Sequence, residues 1–176
     1  NPGDEIILPP WTMSACASAI LNWNAIPVFA DIDNITYNID PADVLRKISK
    51  KTKAIMAVDI FGHPSNIIEL KKIAKKYKLK LITDSAQSPY SFYKKKIAGT
   101  MSDVGGISLN YHKHIHTGEG GVIFTNSDKI AKRINLIRNH AESVVRSNST
   151  EDLSNMIGYN FRLGEIESAM GIEQLK

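Results

Sequence analysis

The stretch Asn66-Ile67-Ile68-Glu69-Leu70-Lys71-Lys72-Ile73-Ala74-Lys75-Lys76-Tyr77-Lys78-Leu79-Lys80-Leu81-Ile82-Thr83-Asp84 decides the fold. Ile67, Leu70, Ile73, Ala74 and Tyr77 share one face at helical spacing, and Lys71, Lys72, Lys75 and Lys76 occupy the other, which predicts an amphipathic helix over 66–77. The apolar run 79–83 that follows reads as a buried strand ending on Asp84. The same alternation extends toward the N-terminus. Short apolar or β-branched runs bounded by Pro, Gly or Asp predict strands at 5–8, 26–30 and 53–58, with helices at 12–23 and 41–49 between them. Asp40-Pro41 reads as a capping aspartate followed by a first-turn proline. Toward the C-terminus, 107–109 and 122–125 read as strands and 127–138 and 163–175 as helices. Strand, helix, strand in repetition argues for an α/β fold with a mostly parallel sheet covered on both faces. Ligands of such sheets bind beyond the carboxyl ends of the strands, where Asp84 and Ser108 stand.

Composition sets limits. With 43% hydrophobic and 23% charged residues, the chain has the balance of a soluble globular protein, and no apolar run approaches the roughly 18 residues of a membrane span. Cys16 is the only cysteine, so no internal disulfide forms and a cytoplasmic location is expected. The net charge of +4 is mild, and its lysine pairs and the Lys94-Lys95-Lys96 run read as solvated faces and turns; no nucleic-acid or membrane partner is expected. The chain opens Asn1-Pro2-Gly3 without Met and stops within an apolar-periodic run, so it reads as one incomplete domain.

Chemistry concentrates in Ser108-Leu109-Asn110-Tyr111-His112-Lys113-His114-Ile115-His116-Thr117-Gly118-Glu119-Gly120-Gly121, whose lysine follows Asp84-Ser85-Ala86-Gln87 by 29 residues (113 − 84). A lysine amine that can bind an aldehyde covalently, paired with a carboxylate that can keep a pyridine nitrogen protonated, suggests pyridoxal 5′-phosphate as cofactor. Lys113 and Asp84 are the candidates for these roles. The three glycines are expected to allow a tight backbone path behind the lysine. His112, His114 and His116 alternate around Lys113, but no Cys or carboxylate with ligand spacing accompanies them, so no metal is expected. They read as packing or hydrogen-bonding residues, and His63 and His140 as loop histidines.

The two segments resemble the DegT/StrS-type sugar aminotransferases, a branch of the fold type I pyridoxal phosphate enzymes. That family carries Asp-x-Ala-Gln or Asp-x-Ala-His, then Ser-x4-Lys, then Thr-Gly-Glu-Gly-Gly. The resemblance implies a three-layer sandwich, with residues 1–176 forming the cofactor-binding large domain, incomplete at both ends. An N-terminal segment and a C-terminal small domain are expected to be missing, so this stretch alone is expected to be inactive. By resemblance, Lys113 is catalytic and cofactor-bound, Asp84 meets the ring nitrogen, Gln87 lies near the phenolic oxygen and Ser108 donates to the phosphate. Pro9-Pro10-Trp11-Thr12-Met13-Ser14-Ala15 matches a family region whose second aromatic stacks on the ring. Met13 stands at that position, with Trp11 as the nearby alternative. Gly158-Tyr159-Asn160-Phe161-Arg162 matches a stretch that reaches the partner subunit's site; either Asn160 or Arg162 then contacts the phosphate of a homodimer's shared site.

The implied reaction moves an amino group, from glutamate, to a nucleotide-linked keto sugar in polysaccharide or antibiotic-sugar synthesis. Sugar dehydration by the same fold is an alternative, but relatives that follow it typically carry histidine where Lys113 stands. A non-catalytic regulatory homologue is the other alternative within the fold.

Overall fold

The computed structural model describes residues 1–142 and 156–176. In chain order the elements are β1 (Glu5–Leu8), α1 (Ala15–Leu21), β2 (Ile26–Phe29), α2 (Pro41–Lys47), β3 (Thr52–Val58), α3 (Ile67–Tyr77), β4 (Lys80–Asp84), β5 (Phe92–Tyr93), β6 (Lys96–Ile97), β7 (Val104–Ser108), β8 (Gly121–Phe124), α4 (Asp128–Arg138) and α5 (Glu165–Gln174). Six strands form one sheet in the order β2-β1-β3-β4-β7-β8. Its pairings are parallel except the last, where β8 runs against β7.

Both sheet faces are covered, which makes the three layers. Ile7, Ile55, Ala57 and Leu81 point to one side and pack with Val44 of α2 and with Leu70 and Ile73 of α3. Leu8 and Val58 point the other way, against Cys16 and Ile20 of α1. Successive strand side chains alternate faces, so each central strand feeds both layers and needs apolar residues at consecutive positions.

The helix starts follow from local chemistry. Asp40 accepts the Ala42 N–H at 2.9 Å ahead of Pro41. Asn66 and Ser127 accept from Glu69 and Ile130 at the starts of α3 and α4. Helix α1 is shorter than its sequence pattern, because the backbone turns at Pro10–Thr12 and Met13–Cys16 occupy the expected first turn. The hairpin β5–β6 was not expected. Its two turn residues, Lys94 and Lys95, take φ 47° and 74°, a left-handed pair that sequence usually signals with Asn-Gly.

The reversal between β7 and β8 is made by the glycine-rich run. Leu109 N–H donates to the Gly120 carbonyl and Thr117 N–H to the Leu109 carbonyl, while Gly118 sits at φ +83°. Gly121 differs from the sequence expectation. It carries no left-handed φ and lies in β8, where a Cβ would meet the Ile107 carbonyl oxygen at 3.3 Å.

Candidate active site

Parallel pairing brings the carboxyl ends of β3, β4 and β7 to one edge of the sheet. Asp84 closes β4 opposite Gly106, and Ser108 ends β7 two residues further on. The Asp84 carboxylate is fixed on both oxygens: Oδ1 accepts the Ala86 N–H at 2.9 Å and Oδ2 accepts the Cys16 thiol at 3.1 Å. No lysine or arginine among the described residues lies within 4.0 Å of it. Burial, with smaller contributions from Asp84, pushes the Cys16 thiol up to about 12 against the opposing hydrogen bond of Thr12, so it remains a protonated donor.

Beside this edge lies a cleft of about 470 Å³ whose lining includes Phe61, Ala86, Gln87, His112, Lys113 and His114. The structure thus brings Gln87 and Lys113 into one space. Phe61 N–H donates to Gln87 Oε1 at 3.0 Å, from a left-handed backbone at φ 53°, and the Gln87 amide N–H₂ has no acceptor among the described residues. Lys113 is half-buried on the turn where its own N–H reaches the Asn110 carbonyl at 2.9 Å, and its amine has no hydrogen-bond or ion-pair partner among the described residues. Ser108 Oγ accepts the Asn110 N–H at 3.2 Å, so its hydroxyl proton is available to a further acceptor.

Other expected residues lie elsewhere. Met13 is 69% exposed and Trp11 52%, and neither lines the cleft. Arg162 donates to Asn139 Oδ1 at 2.7 Å and lines a separate groove with Glu119, Gly121 and Phe161. Asn160 bridges to the Asn139 backbone at the end of α4. His63 lines a third cavity, and the His116 N–H is taken by Gln174 Oε1 at 2.8 Å.

Two groups at this edge were not singled out from sequence. Cys16 gave no signal beyond its uniqueness, since nothing local links it to a residue 68 positions away. Asp59 did carry one: it follows β3 as Asp84 ends β4, so a second strand-terminal aspartate points to the same edge. It is 2% exposed, and burial raises its carboxyl above the ordinary range despite donors from Ser65 and Ser85.

This donor set suits pyridoxal phosphate. A carboxylate with no counter-ion among the described residues matches a cationic ring nitrogen, an amine without a partner among them matches the aldehyde, and an amide N–H₂ and a hydroxyl proton likewise left open match anionic oxygens. The cleft volume is also that of a small-molecule site.

The model of the DegT/DnrJ/EryC1/StrS aminotransferase family matches residues 1–176. The chain belongs to this family. It is 37% identical over 176 residues to the GDP-perosamine synthase of Escherichia coli O157:H7, covering 100% of this chain and 47% of that protein. Among solved structures it is similar to Helicobacter pylori PseC, an aminotransferase involved in the biosynthesis of pseudoaminic acid. That match has a TM-score of 0.89 and 34% identity, over 99% of this chain and 46% of PseC. It is likewise similar to the E. coli GDP-4-keto-6-deoxy-D-mannose-3-dehydratase with bound hydrated PLP, at TM-score 0.88 and 33% identity, over 99% and 48% of the two chains. The chain spans about half the length of the curated relatives it matches.

Proposed function

We propose that this chain forms the cofactor-binding large domain of a pyridoxal phosphate-dependent aminotransferase that moves an amino group from glutamate to a nucleotide-linked keto sugar. The observation that carries the reading is the Lys113 amine, without a partner among the described residues, sharing one cleft with Gln87, beside a carboxylate, Asp84, that has no counter-ion among those residues. When bound, pyridoxal phosphate supplies an aldehyde carbon that amines attack and a ring that withdraws electrons from the attached carbon. Asp84 holds a proton at the ring nitrogen, its two existing hydrogen bonds keeping the carboxylate turned. The Gln87 amide donates toward the phenolic oxygen and the Ser108 hydroxyl toward the phosphate. Lys113 Nζ would hold the cofactor's aldehyde, and with a donor bound it would take and return a proton as general base and acid. The presence of lysine at 113 favours transamination over dehydration, although a dehydratase is among the structures of similar fold.

The assembly we propose is a homodimer with shared sites, in which Asn160 or Arg162 serves the partner's cofactor phosphate; their position outside the cleft of their own chain supports this. No helix among the described residues is long and apolar enough to cross a membrane. The lone Cys16 supports a reducing compartment, and we assign the cytoplasm. The polysaccharide role is favoured by relatives such as the spore coat polysaccharide biosynthesis protein SpsC of Bacillus subtilis. The test is transfer of ¹⁵N from labelled glutamate to a panel of nucleotide-linked 4-keto-6-deoxy sugars by the full-length protein. An amino sugar carrying the label is expected. A sugar that loses water without gaining nitrogen would instead select the dehydratase reading.

A further inference from the structure

The most heavily tied group at the sheet edge is one for which the reaction as described has no use. Asp59 is 2% exposed, and both carboxylate oxygens are occupied: Oδ1 accepts the Ser65 N–H at 2.7 Å and Oδ2 the Ser85 hydroxyl at 2.6 Å. Its main chain is tied as well. Asp59 N–H donates to the Asp84 carbonyl at 2.9 Å, and its own carbonyl accepts the Ser88 hydroxyl at 2.7 Å. Asp59 thus touches the 84–88 turn at three residues, and the nearby Phe61 N–H fixes Gln87. No lysine or arginine among the described residues comes within 4.0 Å. A neutral asparagine would fill the same space and still bond Ser65 and Ser85, so the shape of the turn does not require the charge. A buried charge without a counter-ion costs stability, and groups of this kind concentrate where a site needs a field.

We propose that Asp59 is a positioning residue for the reaction: it holds the 84–88 turn against the cleft and adds a second negative charge that helps Asp84 keep the cofactor's ring nitrogen protonated. This rests on the pyridoxal phosphate reading above. Two negative charges beside one cation favour the cation more than a single one does. The titratable groups that face Asp59 are Asp84 on β4 and Tyr93 on β5, with Cys16 of α1 behind Asp84.

The test uses the full-length protein loaded with pyridoxal phosphate labelled with ¹⁵N at the ring nitrogen, read by ¹⁵N NMR at neutral pH, with the apoprotein melted in parallel. Asp59→Asn is expected to move the ring signal toward the neutral-pyridine position, though less far than Asp84→Asn. It should lower kcat roughly tenfold, the equivalent of one pKa unit at the ring, and leave the melting temperature unchanged or higher. A wild-type ring signal in Asp59→Asn, or a fall in melting temperature with no change in that signal, would reduce Asp59 to a loop staple and overturn the proposal. Should Asp59→Asn fail to fold, Ser85→Ala keeps the charge but removes one donor. Loss of that donor pushes the Asp59 carboxyl further up, so acidification should alter the ring signal at a higher pH than in the wild type; superimposable titrations would overturn the proposal. Wild-type protein that takes up no labelled cofactor would instead defeat the underlying reading, and this inference with it.

Discussion

At the residue scale, the contact between Cys16 and Asp84 joins α1 to the sheet edge. The Sγ–Oδ2 hydrogen bond at 3.1 Å needs the thiol protonated, and burial, the largest influence, pushes that thiol up to about 12 from an ordinary 9.0. The sign of the pH dependence follows. The folded state keeps a proton that the unfolded state releases from about pH 9 upward, so this contribution to stability is fully present below pH 9 and is lost as pH rises toward 12. The expected outcome is a melting temperature that falls more steeply between pH 9 and 12 in the wild type than in Cys16→Ala. Parallel curves would show that the thiol is not held protonated by the fold. The sequence singles out Asp84, Gln87, Ser108 and Lys113 together, because their spacing follows a family pattern; of the four, Gln87 and Lys113 line one cleft, and Asp84 and Ser108 stand at the strand ends. The cysteine was not, because its partnership exists only once β1, α1 and β4 have packed.

At the element scale, the parallel core was readable because buried strands carry unbroken apolar runs and α3 separates its lysine face from its apolar face so cleanly. Boundaries moved by one to several residues where turns intervened, as at the start of α1. The β5–β6 hairpin was missed, since lysines hold the left-handed turn positions. The run before β7 contains a further constraint that sequence alone did not reveal. Gly105 lies in β7 against the Gly99 backbone, and a Cβ there would collide with the Gly99 carbonyl. Gly105 also pairs with Thr83, next to Asp84, so displacement would be felt at the site. Gly105→Ala is expected to destabilise by about 1–3 kcal/mol, the range for forcing extra volume into a packed region. Urea denaturation measures it; a midpoint equal to the wild type would mean that the 99–105 loop yields freely.

At the scale of the whole molecule, the proposal of shared sites makes a demand that one chain cannot meet. Arg162 is engaged with Asn139 and lines its own groove, away from Lys113. A Lys113→Ala subunit and an Asn160→Ala, Arg162→Ala subunit should each be inactive alone in the full-length protein. Random exchange should restore about a quarter of wild-type turnover, since half of the dimers are then mixed and each mixed dimer has one intact site of two. Confirmed heterodimers without recovery would show that each chain completes its own site. The central claim, that Lys113 is the residue that anchors pyridoxal phosphate, has a more direct test. Full-length protein incubated with the cofactor, reduced with borohydride and digested should yield one peptide carrying a phosphopyridoxyl group, on Lys113. A label on another lysine, or no label on a folded protein, would contradict it.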